Sequence, residues 1–278
     1  MELVVTSLAF NSVTKQQLEK FALKLPGSLL LTGAEGIGLT AAAQFIVANS
    51  KAQVTTVLPE KDEKVDLEKG SITVDSIRRL YAQTKTIEPN GRIIIIDFAE
   101  RMAKPAQNAF LKLLEEPGEG THFILLTHQP GLLLPTILSR VQRVDMRLIS
   151  KEESRSLLDA LKVHDERQRA QLLFIASGLP AELTRLVKDA TYFEQRVAVI
   201  KDAREFVIGN AYSRLLLAKK YKDDRNQTLV MLSDAMRLLQ KTLVDGGSED
   251  TVLTITKLEE VYGRIQGNAN IRLQLASV

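Results

Sequence analysis

An α/β fold is predicted for the first half of the sequence, a parallel sheet with helices on both faces, and an all-helical fold for the remainder. Three observations predict it. Short β-like runs alternate with helical patterns up to residue 150, those runs are apolar throughout, and beyond residue 150 the period is helical everywhere. Strands buried on both faces read as continuous apolar runs, and strand–helix–strand alternation makes them parallel.

The elements follow in order. Ser28-Leu29-Leu30-Leu31-Thr32 reads as a buried strand running into Gly33, and Thr40 to Asn49 has helical composition. Val54 to Leu58 is a second apolar run, stopped by Pro59, and Glu60 to Lys69 is a charged loop. Thr73-Val-Asp75 opens a helix; Arg92 to Asp97 is a run of four Ile closed by an acid. Between that run and the next strand, Thr121 to Thr127, lies Pro105 to Glu116, where Ala109, Leu111, Leu113 and Leu114 form a helical apolar face. Ser150-Lys151-Glu152-Glu153 is a capping box, Ser and Glu each accepting the other's backbone amide. Asp165 to Ala176 reads as a second helix, closed by Gly178-Leu179-Pro180, and Ala181 to Val187 as a third. Further on, Phe193, Val197, Ile200, Ala203 and Val207 share one helical face, as do Leu229, Leu232, Met236, Leu239 and Leu243. Asp245-Gly246-Gly247 breaks between helices, Val252 to Ile265 forms another, and Arg214 to Arg225 reads as an ordinary exposed helical face. There is no internal repeat.

Composition excludes several chemistries. At 278 residues, two or three compact units are expected. The absence of Cys removes disulfides, thiolate metal sites and thiol catalysis together. Three scattered histidines, His122, His128 and His164, fall short of a zinc site, so no metal is expected. With 5% aromatics and no Trp, base-stacking platforms are not expected. The net charge of +3 permits phosphate contact without demanding it. No segment reaches the roughly 18 apolar residues of a membrane span. Met1 to Phe10 has no basic stretch ahead of its short apolar run, so neither membrane insertion nor secretion is expected and the chain reads as cytoplasmic.

Two segments carry candidate chemistry. Gly33-Ala-Glu-Gly36-Ile-Gly38-Leu39-Thr40, between a strand and a helix, has the spacing of a phosphate-binding loop, in which glycines let backbone amides turn toward phosphates at a helix N-terminus. That motif needs Lys immediately before the Ser/Thr, and here the position holds Leu39. Standing alone, such a loop is equally a tight strand-to-helix connection. Ile93-Ile-Ile-Ile-Asp97 has the form of a buried strand ending in a Mg²⁺-binding Asp, usually followed by a water-orienting Glu. The next residue is Phe98, which cannot polarise water, and Glu100 comes two residues too late. An acid that simply closes a buried strand is the bland alternative.

A series of motifs adds to this: Asp97-Phe-Ala-Glu-Arg-Met102, Ala106-Gln-Asn-Ala-Phe-Leu-Lys-Leu-Leu-Glu-Glu-Pro117, Phe123-Ile-Leu-Leu-Thr127, and Leu134-Pro-Thr-Ile-Leu-Ser-Arg140. In this order they resemble the AAA+ subunits of DNA polymerase clamp loaders. The resemblance is strong over residues 28–147 and returns in Gly267-Asn-Ala-Asn-Ile-Arg-Leu273, similar to that family's final helix.

The resemblance implies three domains: an AAA+ α/β domain over 1–149, a small helical lid over 150–190, and a helical oligomerisation (collar) domain over 191–278. It implies that Arg140, with Ser139, is an arginine finger reaching a neighbouring subunit's ATP; otherwise Arg140 is a surface arginine interacting with a helix macrodipole. Thr127 falls at the sensor 1 position, or is a strand-end hydroxyl. Three departures from the active pattern coincide: Leu39, Phe98, and Ala181 where active relatives carry the sensor 2 Arg after Gly178. The four-Cys zinc module of many relatives is also missing, Ser50 to Gly70 being short, and Val141 follows Ser139-Arg140.

The implied protein is a non-catalytic component of the DNA polymerase III holoenzyme, a stator with no ATP in its own degenerate site (Gly33, Gly36, Gly38, Leu39, Thr40, Asp97, Thr127) and no zinc. Its implied partners are the motor and clamp-opening subunits of a hetero-pentamer, the sliding clamp and primer–template DNA. Arg78, Arg79, Arg101 and Lys104 are DNA-facing candidates through backbone contacts, or solvated helical faces. The rival readings are an active AAA+ ATPase with an unusual phosphate loop and a diverged AAA+ scaffold outside replication.

Overall fold

Continuous runs such as Leu29-Leu30-Leu31 and Ile93-Ile94-Ile95-Ile96 form strands because β-branched and leucine side chains alternate to opposite faces, and both faces here are covered. The computed structural model describes residues 9–67, 69–244, 246 and 248–278. In chain order, α1 (Ser12–Leu23), β1 (Ser28–Thr32), α2 (Leu39–Val47) and β2 (Gln53–Val57) come first. A small hairpin, β3 (Glu60–Lys61) and β4 (Lys64–Val65), precedes α3 (Val74–Thr84) and β5 (Arg92–Ile96). Then come α4 (Lys104–Glu115), β6 (Thr121–Thr127), the short α5 (Pro135–Leu138) and β7 (Gln142–Asp145).

The main sheet is five-stranded, in the order β2-β5-β6-β1-β7, with every pairing parallel. Leu29, Leu31, Ile93, Ile95, Ile124 and Leu126 pack on one face against Ala42, Ala43 and Ile46 of α2. Leu30, Ile94, Ile96, Phe123 and Leu125 pack on the other against Leu80 of α3 and Phe110 and Leu113 of α4. The strand order reverses around β1, and the carboxyl ends of strands at such a reversal open onto the crevice where α/β sheets hold ligands.

The edges differ from expectation. β7 was not foreseen: of Gln142-Arg143-Val144-Asp145 only Val144 is buried, so an edge strand paired to β1 carries no apolar run. β2, at the opposite edge, is half-exposed rather than fully buried. Within the charged stretch Glu60 to Lys69, the β3–β4 hairpin turns through Asp62 and Glu63, both with positive φ (50° and 62°). Glu68 lies outside the described residues.

The helices expected after residue 150 are α6 (Lys151–Ala160), α7 (Glu166–Ala176) and α8 (Pro180–Lys188). The capping box is complete: the Ser150 hydroxyl accepts from the Glu153 amide at 3.1 Å and the Glu153 carboxylate from the Ser150 amide at 2.7 Å. Ser177 and Gly178 turn α7 into α8 with φ of 47° and 84°. A Cβ on Gly178 would lie 3.0 Å from the Ile149 carbonyl oxygen, so both conformation and space require glycine there. Compactness divides the chain into two units, one ending at Lys188 and one running Asp189–Val278. The three helices α6 to α8 belong to the first.

The second unit contains α9 (Ala190–Ile208), α10 (Ala211–Tyr221), α11 (Arg225–Val244), α12 (Glu249–Gln266) and α13 (Ile271–Ala276). Its core gathers Val199, Ala203 and Phe206 with Met231, Leu232, Ala235, Leu258, Val261, Ile265 and Leu275. Two helices depart from the sequence pattern. The inward face of α9 is Arg196, Val199, Ala203 and Phe206, while Phe193, Val197, Ile200 and Val207 flank it. An arginine can face the core because Asp234 of α11 accepts from its guanidinium at 3.0 and 3.4 Å. Nor is Arg214 to Arg225 a plain solvated face: Leu217, Ala218 and Tyr221 are buried. Arg214 donates to the carbonyls of Phe206 and Val207, closing the C-terminus of α9. In the expected break after α11, Asp245 and Gly247 lie outside the described residues, as does most of the Met1 to Phe10 stretch.

Candidate functional site

The phosphate-loop spacing sits where the sheet reverses. From Thr32 the chain turns through Gly33, Gly36 and Gly38 into α2, Gly36 and Gly38 taking φ of 83° and 95°. Only glycine adopts these angles without strain, which is why the loop is built of them. Thr40, in the first turn of α2, donates to the Asp97 carboxylate at 3.1 Å, and the Phe98 amide donates to the other carboxylate oxygen at 2.9 Å. Burial pushes the Asp97 carboxyl above its ordinary range, opposed by these two hydrogen bonds. Thr127 pairs with Thr32 across the β1–β6 ladder, is buried, and accepts from the Gln129 amide at 3.1 Å. Gly33, Gly36, Gly38, Leu39, Thr40, Asp97 and Thr127 thus belong to one end of the sheet.

The loop's cation position is apolar and enclosed. Leu39 is 4% exposed and packs with Ile37, Leu29, Leu31 and Met146 in the core under α2. From the other side α8 closes on the loop: the amides of Ala181 and Glu182 both donate to the Gly36 carbonyl at 3.0 Å. A Cβ on Gly36 would stand 2.9 Å from that of Glu182. A helix N-terminus suited to an anion is here satisfied by a backbone carbonyl. Measured against a bound triphosphate, the loop keeps the Thr40–Asp97 pair but offers no cation, and its amide-rich turn is pressed against the helix that follows Gly178. These residues do not fit the group.

Arg140 lies elsewhere, after α5. It is 39% exposed; its guanidinium donates to Glu115 at 2.8 Å and to the Thr136 carbonyl at 3.0 Å, with Ser139 Oγ at 3.5 Å. Of the four DNA-facing candidates, Arg78 pairs with Asp75 at 3.1 Å and Arg79 with Glu60 at 2.7 Å. Arg101 lies over the Phe98 ring, 5.3 Å from its centroid, and Lys104 is exposed as the first residue of α4.

Sequence reasoning missed four participants. His128 Nδ1 lies 2.8 Å from the Gly33 carbonyl, which fixes the proton on that nitrogen, since a carbonyl only accepts. Gln107, 2% exposed, donates to the Met102 and Leu132 carbonyls at 3.0 and 3.1 Å and accepts from the Leu134 amide at 2.7 Å. Glu115 and the α8 amides are the others. The available signal was positional: His128 follows the strand-end Thr127, while Gln107 and Glu115 lie inside the motif run Ala106–Pro117.

The parallel sheet and the helices that follow it have the AAA+-type fold. A crystal structure of a DNA polymerase III gamma subunit-related protein from Thermotoga maritima superposes over 94% of this chain and 96% of its own, with a TM-score of 0.54 at 21% identity. Thermotoga maritima RuvB R170A covers 68% of this chain and 65% of its own, with a TM-score of 0.51 at 15% identity. The chain belongs to the family described as DNA polymerase III, delta subunit, whose model matches residues 10–150. The DNA polymerase III subunit delta′ of Pseudomonas aeruginosa is 33% identical over 170 residues, covering 60% of this chain and 49% of its own length. The delta′ subunit of Bacillus subtilis is 28% identical over 214 residues, 71% of this chain and 62% of that one. The chain therefore spans about half to three-fifths of these two relatives. Among the described residues no helix is long and apolar enough to cross a membrane, and no cluster of His, Asp and Glu has the makings of a metal site.

Proposed function

We propose that this chain is a clamp-loader subunit of DNA polymerase III that hydrolyses no ATP itself and lends Arg140, beside Ser139, to ATP bound by a neighbouring motor subunit. The observation that carries the reading is Leu39, an enclosed apolar side chain where a phosphate loop requires lysine. Phe98 in place of the water-orienting Glu and Ala181 in place of the sensor 2 Arg support it. Arg140, by contrast, is partly exposed at the end of a short helix. A guanidinium that reaches a γ-phosphate stabilises the charge of phosphoryl transfer, and its planar fork suits phosphate oxygens. The partners on this reading are motor and clamp-opening subunits joined through the collar helices of 191–278, the sliding clamp, and primer–template DNA tracked by Arg78, Arg79, Arg101 and Lys104.

A second reading, an ATPase with an unusual loop, draws on the Thr40–Asp97 hydrogen bond, which keeps the hydroxyl and carboxylate of a Mg²⁺ site together. Equilibrium binding of labelled ATP with Mg²⁺ to the full chain separates the two. No saturable binding is expected; saturable, Mg²⁺-dependent binding in the micromolar range overturns the first reading in favour of the second.

A further inference from the structure

Glu115 is the last residue of α4, and a carboxylate there faces the negative end of the helix macrodipole, where a cation belongs. Its carboxylate instead accepts from Arg140 Nη2 at 2.8 Å, across 25 residues of chain. The same helix holds the approach to Arg140 from its other end: Gln107 takes the Leu132 carbonyl and the Leu134 amide, the residues that lead into α5. One rigid element therefore fixes both the segment that carries Arg140 and the plane of its guanidinium. The contacts to Thr136, Ser139 and Glu115 engage Nη1 and one hydrogen of Nη2. A guanidinium has five N–H groups, so the second Nη2 hydrogen and Nε–H remain to meet an incoming phosphate oxygen.

We propose that Glu115 is a positioning residue for Arg140: it orients the guanidinium so that its outward N–H edge is preset toward a neighbouring subunit's triphosphate. The inference rests on the reading of Arg140 as a finger acting in trans. Glu115 is 52% exposed, and an exposed pair of this kind contributes little to folding, so its value lies in orientation. Orientation is where small errors are costly, because binding energy must be realised at the reacting geometry.

The test uses the full chain in a reconstituted clamp loader and reads DNA-stimulated ATPase, kcat and KM separately. Glu115→Ala is expected to lower turnover at the one site Arg140 serves roughly tenfold, within the range of about a hundredfold that an ångström of misplacement can cost, with KM for ATP unchanged. Glu115→Gln, whose amide oxygen still accepts from Arg140, is expected to retain most of the activity. In an Arg140→Ala background, Glu115→Ala should have no further effect. Wild-type activity for Glu115→Ala, with Arg140→Ala impaired, overturns the role of Glu115 and leaves the finger standing. A loss for Glu115→Ala that persists in the Arg140→Ala background overturns it as well. Wild-type activity for Arg140→Ala defeats the finger reading itself.

Discussion

On the proposed finger role, Arg140→Ala slows ATP hydrolysis at a neighbouring subunit's site by on the order of 10³-fold, the lower end of what an arginine finger contributes to phosphoryl transfer. The complex should still assemble. Arg140 contacts Glu115, Thr136 and Ser139 at the surface, and exposed ion pairs are worth about 0–1 kcal/mol, so neither fold nor thermal midpoint should move appreciably. The measurement is DNA-stimulated ATPase of the reconstituted complex, alongside circular dichroism of the isolated variant. Arg140→Lys should not restore the rate, because an ammonium is a point charge without the planar fork that spans two phosphate oxygens. Equal loss of assembly and activity would assign Arg140 an interface role instead.

The largest effect on stability is expected in the second unit, from Asp234→Ala. Asp234 is 3% exposed and accepts from Arg196 at 3.0 Å and from Arg237 at 2.7 Å, joining α9 to α11. Taking the carboxylate away removes the Asp234 counter-charge from Arg196 inside the helical core, at a cost of about 3–5 kcal/mol. A unit held together by some 5–15 kcal/mol would lose a large part of its stability. Urea denaturation of the full chain should show the transition of residues 189–278 moving to lower denaturant while that of the sheet unit stays in place. The pair replacement Arg196→Met with Asp234→Leu is expected to be neutral or stabilising, since it removes both desolvated charges together. Unchanged unfolding of Asp234→Ala would mean that the pair contributes nothing net.

The sheet interior and its loop were legible for a simple reason. Leu29 to Leu31 and Ile93 to Ile96 are buried on both faces, so their sequence leaves no alternative to a central strand. The capping box at Ser150 and the glycines at 36, 38 and 178 were equally plain, because each encodes its own local geometry. The edge strand β7 was not legible: one buried valine among polar residues gives no period, and its place depends on the β1 partner. Periodicity turns a different face of α9 inward because it gives an arginine to solvent, and only the distant Asp234 reverses that. At the candidate site, an apolar residue before Thr40 could be read directly as Leu39. The closure of α8 on Gly36, the strut from His128 to Gly33 and the grip of Glu115 on Arg140 join residues 25 to 146 positions apart, and no local pattern announces them.

The claim that Arg140 completes another subunit's triphosphate site is tested most directly with a transition-state analogue. ADP with aluminium fluoride mimics the transferring phosphoryl group, and groups that act only in the transition state bind such analogues far more tightly than substrate. The number of tightly held ADP–aluminium fluoride molecules per reconstituted complex should fall by one when Arg140→Ala replaces the wild-type chain, while ATP binding in the ground state is little changed. The same number retained, with the same affinity at every site, would contradict it.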